Sequence, residues 1–362
     1  MKNEFIGFYD PTETEIENSW ENGVFAFDAN MLLNLYRYTE STRSDFIESL
    51  KTLKDRLFIP HQAAYEFLNN RLIVIQKSEA AYDSINDILK ENYSKVLEKQ
   101  INQFKKHPAI NVDTIKKLHN DFLEKVSKEL LKQKKNHPDF SNTDDILSEI
   151  TNLFDNNLGE KYSEAELNKI YEEGKKRYAN KIPPGFKDLE DKKNKGDNHI
   201  YGDLIIWKQL IDKINKQKTP IIFITDDRKE DWWRIESGKT IRPHEELIKE
   251  FFDETGIRIL IYNADNFLRF AKERNLIPTL KDETVNEIKE IRVSDEKSLN
   301  NNIQLWTKSN LNKKWLEQQK ENRRKIIELT KAFNNVKQYN WWDNFENEQK
   351  LETEDKNDSS DL

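Results

Sequence analysis

Four short apolar runs constrain this chain more than any other feature: "VFAF" (Val24 to Phe27), "LFIP" (Leu57 to Pro60), "PIIFIT" (Pro220 to Thr225) and "IRILIY" (Ile257 to Tyr262). Each is β-branched or aromatic and lacks polar alternation, the pattern of strands buried on both faces of a parallel sheet. Helical patterns lie between and beside them. "STRSDFIESLKTLKD" opens on hydroxyl residues and spaces Phe46, Leu50 and Leu53 at helical intervals. "GDLIIWKQLIDKINK" gathers Leu204, Ile205, Trp207, Leu210, Ile211 and Ile214 on one broad face, and "RPHEELIKEFFDETG" runs into Gly256 as a C-cap. Strand then helix, repeated, predicts an α/β fold around a parallel sheet.

The second and third runs are separated by far more chain than one crossover helix needs. From about residue 76 to about residue 195 we expect an inserted helical hairpin. One helix carries Tyr82, Ile85, Leu89 and Val96, the other Ile115, Leu118, Phe122, Val126 and Leu130, with a break near "KKHPAIN". The stretch "NKIPPGFKDLEDKKNKGDNHIYGD", residues 180 to 203, is rich in Pro, Gly and charge and reads as a long functional loop. The expected organisation is one α/β domain over residues 1–280 carrying the insertion at about 76–195, a helical extension over 281–340, and a disordered acidic tail over 341–362.

Composition narrows the chemistry. The 362 residues include no cysteine, which excludes disulfides, thiol nucleophiles and cysteine-bound zinc and suits a reducing, cytoplasmic setting. No run has the length or apolarity of a signal peptide or membrane span, so we expect no membrane partner. The formal net charge of -7 argues at first against nucleic acid. Most of it sits in the last twenty residues, which hold eight acids and two lysines, while residues 77 to 137 carry thirteen lysines against nine acids. A basic surface therefore remains available on a nearly neutral body.

The acids at the strand ends matter most. Ligands in open α/β sheets bind outside the carboxyl ends of the strands, and Asp28 follows "VFAF" at such an end. Asp226 and Asp227 follow "PIIFIT", Asp203 opens an apolar helix, and Glu66 lies in the first turns after "LFIP". Each has an ordinary explanation: Asp203 as an N-cap, Asp226 or Asp227 as a turn residue, Glu66 as a surface glutamate. Asp28, between "VFAF" and "MLLNL", needs a partner if buried. Jointly, the ordinary explanations require four coincidences. Clustered carboxylates repel one another unless a cation neutralises them, and hard oxygen donors select Mg²⁺ or Mn²⁺. Such ions activate water and stabilise the leaving oxygen in phosphodiester hydrolysis.

The segments "FAFDANMLLNLYRY", "FIPHQAAYEFLNNR", "YGDLIIWKQLI" and "IIFITDDRKEDWW", in this order and spacing, resemble PIN-domain nucleases, in particular the PIN-like group with a large helical insertion. The resemblance covers about Gly23 to Ala271. It implies a doubly wound parallel sheet and a metal-dependent nuclease that cuts RNA more often than DNA. Its acids fall on Asp28, Glu66, Asp203 and Asp227, with Asp226 as neighbour or alternate ligand and Asn30 as the small polar companion of Asp28. "KIPPGFKD" also resembles this group, and its loop would bring Lys181, Lys187 or Asp197 towards substrate. The insertion and the chain beyond Leu276 exceed a minimal PIN toxin, so small-toxin biology is not carried over.

On this reading Asp28, Glu66, Asp203 and Asp227 hold one or two ions, Asn30 orients Asp28, and Arg71, Lys187 and Arg228 stand near phosphate. Trp232 or Trp233 could stack on a base or pack under the acidic loop. The hairpin could serve a homodimer or a protein partner. Two competing readings are a binding module with little or no cleavage, and a Mg²⁺-dependent phosphatase. The second lacks its usual "DxD", because Asn30 stands where the second acid would be.

Overall fold

The computed structural model describes residues 1–92, 98–191 and 200–295. In chain order, α1 (Glu13–Asn22) leads into β1 (Val24–Phe27), and α2 (Ala29–Leu33) and α3 (Glu40–Thr52) lead into β2 (Leu57–Phe58). The insertion follows as α4 (His61–Asn92), α5 (Glu98–Asn102) and α6 (Val112–Lys135). The chain then runs through α7 (Asp145–Phe154), α8 (Glu164–Ala179), the short α9 (Asp188–Asp191) and α10 (Gly202–Gln217) to β3 (Ile221–Ile224). A hairpin of β4 (Trp233–Glu236) and β5 (Lys239–Pro243), then α11 (Glu245–Thr255), β6 (Leu260–Tyr262) and α12 (Ala264–Glu273), complete the series.

All four expected runs form strands of one parallel sheet, in the order β2-β1-β3-β6. The register pairs Phe25 with Ile222 and Ala26 with Phe223, so alternate residues define two faces. One face packs Phe25 and Phe27 against Phe267, with Trp20 stacked on Phe267 and Phe154 against Phe27. The other carries Phe223 beneath Trp232, which meets Trp207, which meets Phe251. Helices therefore cover both faces, which is why the strands carry no polar alternation. Successive connections leave β1 for β2 on one side and for β3 and β6 on the other. The crevice between the ends of β1 and β3 is the topological switch point, where open α/β sheets bind ligands.

Two boundaries differ from expectation. The insertion has no separate beginning, because α4 is a single 32-residue helix that starts beside β2 and runs out into the hairpin. The chain is back in the main core by Phe140, and α7 buries Ile146, Ile150, Leu153 and Phe154 there. At the other end, the compact unit continues to Val293 rather than 280. Glu287 accepts hydrogen bonds from Thr39 and Thr42, and Asp45 is bonded by Lys281 and Thr284, which ties a helix starting at residue 282 onto α3. The rest of the expected extension and the whole tail lie outside the described residues. No helix among the described residues is long and apolar enough to cross a membrane.

Candidate active site

Asp28 is the residue after β1 and the N-cap of α2. Its backbone is still extended there, so its Oδ1 accepts the first free helical N–H, from Ala29, at 2.7 Å. Its Oδ2 accepts from the Thr225 hydroxyl at 2.9 Å and from Asn30 Nδ2 at 3.3 Å. Thr225 stands at the end of β3, so this bond spans the switch-point crevice. The same hydroxyl oxygen accepts the Asp227 N–H at 3.1 Å, and one buried threonine thus registers both strand-end aspartates.

Glu66 reaches the site from α4, its Oε1 fixed by Gln62 Nε2 one turn earlier at 2.8 Å. Asp203 is the second residue of α10 and caps nothing: the N-cap is Tyr201, without a side-chain bond. Its Oδ2 accepts instead from Trp232 Nε1 at 3.4 Å. Both tryptophans are buried, Trp233 donating to the Asp227 carbonyl at 2.5 Å, so neither presents a face to a base.

The electrostatics express the crowding. Burial, then the charges of Glu66 and Asp227, push the Asp28 carboxyl up to about 7. Asp203 is raised well above the ordinary carboxylate range, mainly by burial; Lys229 opposes the shift, while Asp188, Asp227 and Glu66 add to it. The four acids drawn from four separate segments therefore act on one another.

The other expected residues lie in differing surroundings. The Asp226 carboxylate accepts from Asn34 at 2.8 Å and from the Ala264 N–H at 3.0 Å, which joins β3 to the start of α12 and turns it away from the Asp28 side. Arg71 is paired with Asp144 at 2.8 Å, a carboxylate also bonded by the Tyr36 hydroxyl. Lys187 pairs with Glu230 at 2.6 Å, Lys181 is exposed in a left-handed conformation, and Arg228 is half-buried near Asp226. Asp197 lies outside the described residues.

Sequence reasoning does not single out three further participants. Lys229 places its ammonium among the acids, 2.6 Å from Asp188, 3.1 Å from Asp227 and 3.6 Å from Asp203. Burial opposes its charge, but Asp203, Asp227 and Asp188 outweigh this and raise its pKa. Asp188 is the last residue of "KIPPGFKD", and Asp231 ends "TDDRKED", so both lie inside motifs that the sequence does mark. Burial pushes Asp231 up to about 6; its Oδ2 accepts the Gly185 and Lys187 N–H groups while Oδ1, fully buried, has no hydrogen-bond partner. The turn that carries Asp188 is held by Arg177, which bonds the Pro183 carbonyl and pairs with Glu250.

Residues 24–247, more than half of the chain, match the family model described as PIN like domain. The chain belongs to this family. No curated protein and no solved structure matches it. In this PIN-like domain, no three acidic or histidine side chains among the described residues converge into a ready-made ligand group. The donor set nevertheless fits a hard divalent cation in kind and charge. All its donors are carboxylate oxygens, their mutual repulsion is visible in Asp28 and Asp203, and the cluster already accepts one cation, the Lys229 ammonium.

Proposed function

We propose that this PIN-like domain is a metal-dependent nuclease, specifically an endoribonuclease, that uses Mg²⁺ or Mn²⁺ held by Asp28, Glu66, Asp203 and Asp227. The observation that carries this reading is the mutual electrostatic influence of four acids from four segments beside the switch-point crevice, where burial and the like charges of Glu66 and Asp227 raise the carboxyl of Asp28 to about 7. When bound, the ion would supply activated water and charge neutralisation at the leaving oxygen. The chain's own contribution is position. Ala29 N–H and Thr225 fix Asp28, Asn30 restrains its second oxygen, and Gln62 orients Glu66. Asp226 supports the loop from behind.

Cleavage of labelled single-stranded RNA, structured RNA and DNA tests this reading. We expect RNA to be cut with Mn²⁺ or Mg²⁺, cutting to stop with EDTA, and binding to weaken steeply with salt. No cleavage of any polymer by folded protein with metal would contradict it. The reading of the domain as a binding module draws on one observation, the lack of a preassembled ligand group among the described residues. It predicts polymer binding that is indifferent to EDTA. A cytoplasmic setting is supported by the cysteine-free sequence. Leu118 and Phe122, 65% and 50% exposed on α6, support the hairpin as a protein-contact or dimer surface. Sedimentation of a monomer at high concentration would dismiss the dimer.

A further inference from the structure

The Lys229 ammonium is shared by three carboxylates from three separate parts of the chain: the first residue of α9, the first turn of α10 and the loop after β3. Two of these carboxylates, Asp188 and Asp227, are almost without solvent, at 1% and 6% side-chain exposure. Left without a cation they would be strongly unfavourable, since buried like charges cannot all remain ionised. The lysine removes that problem. It also occupies oxygens that a divalent ion would need, because an ammonium donating to Asp227 and Asp188 and an ion ligated by the same atoms exclude each other.

Two further features fit a cation position rather than an ordinary ion pair. Behind the trio lies Asp231, with a fully buried oxygen that no donor meets. At the front, the Lys229 side chain is 27% exposed, so part of its stem borders solvent. A lysine suits such a position because its charge is a compact point on a flexible stem, whereas a guanidinium would lock into a fixed fork.

We propose that Lys229 is the resident occupant of the divalent-cation position, that Asp188 is a further ligand there, and that a metal ion enters by displacing the ammonium towards the rim. This rests on the metal-dependent reading of the site given above. The tethered lysine keeps the acid cluster folded without metal, and it sets a threshold that the ion must overcome.

The test is calorimetric titration of the full chain with MnCl₂, comparing wild type with Lys229→Met, which keeps the stem and removes the charge. We expect the variant to bind Mn²⁺ at least tenfold more tightly, to melt at a lower temperature without metal, and to gain more from Mn²⁺ than wild type does. In the Lys229→Met background, Asp188→Asn should weaken Mn²⁺ binding at least fivefold; unchanged affinity removes Asp188 from the ligand set. Equal or weaker Mn²⁺ binding by Lys229→Met, with wild type binding normally, overturns displacement and leaves the nuclease reading standing. No Mn²⁺ binding by either folded protein overturns both. Should Lys229→Met fail to fold, wild type alone decides. Mass-spectrometric lysine acylation at Lys229 should rise several-fold when Mg²⁺ is added, and an unchanged rate overturns the proposal.

Discussion

Glu66 and Gly202 are matched in shape: a Cβ built on Gly202 would collide with Glu66 Oε1, standing closer than real contacts allow. The first residue of α10 is therefore a glycine because the carboxylate of α4 lies against it. Gly202→Ala should push Glu66 out of position. The obstructing atom ends a flexible side chain, so stability should change by only about 1 kcal/mol. Turnover should fall about 10²-fold, the scale of a misplaced catalytic group. A melting curve beside a cleavage rate checks this, and a fully active variant would detach Glu66 from the chemistry.

Adjacent aspartates should separate cleanly. Asp226 bonds Asn34 and the Ala264 N–H, whereas Asp227 contacts Lys229 and shares Thr225 with Asp28. Asp226→Asn should cost about 1–2 kcal/mol of stability through a disturbed buried hydrogen-bond pair and leave cleavage within a few-fold of wild type. Asp227→Asn should lower cleavage by about 10²-fold or more, the scale of losing a positioned electrostatic group. The reverse pattern would exchange their roles.

The metal-free protein should lose stability as pH rises. Asp28 has a folded pKa of about 7 and Asp231 of about 6, both above the unfolded value, so the folded state holds more protons between about pH 4 and pH 7. Their stabilising contribution is full below the unfolded pKa and is lost as pH passes through the folded one. His61 acts in the opposite sense, because burial and Lys161 lower its pKa. The informative quantity is thus the difference between wild type and Asp28→Asn. Melting temperatures in EDTA from pH 5 to 8 should fall more steeply for wild type, and Mg²⁺ should flatten the slope. Parallel curves would contradict the assigned environment of Asp28.

What can be read from the sequence is local. A short apolar run is a signal within one segment, and it locates all four sheet strands; two of the runs stop at acids, which marks Asp28 and the Asp226-Asp227 pair. What cannot be read are pairings across long separations. Arg71 gives no sign in the sequence of its ion pair with Asp144, far along the chain. Lys229 looks like one charge among many in "TDDRKED" until Asp188, from the other side of α10, meets it. The β4–β5 hairpin is invisible for another reason: most of its residues are exposed and its isoleucines, Ile235 and Ile241, stand singly between polar neighbours, so no apolar run marks it. Its turn, Ser237-Gly238, has positive φ at both residues, which is the one signal that "SG" between "WRIE" and "KTIRP" offers. The continuity of α4 is hidden because amphipathic periodicity does not distinguish a helix that begins in a domain from one that begins outside it.

The central claim is that the carboxylates meeting at the switch point perform metal-dependent phosphodiester cleavage. The most direct measurement compares Mn²⁺-dependent cleavage of labelled RNA by wild type, Asp28→Asn and Asp203→Asn, with melting temperatures of all three. Wild type should cut, both variants should be inactive, and both should melt at or above the wild-type temperature in EDTA, because removing a clustered charge relieves repulsion. Variants that cut RNA as fast as wild type, or that lose activity only because they unfold, would contradict the account.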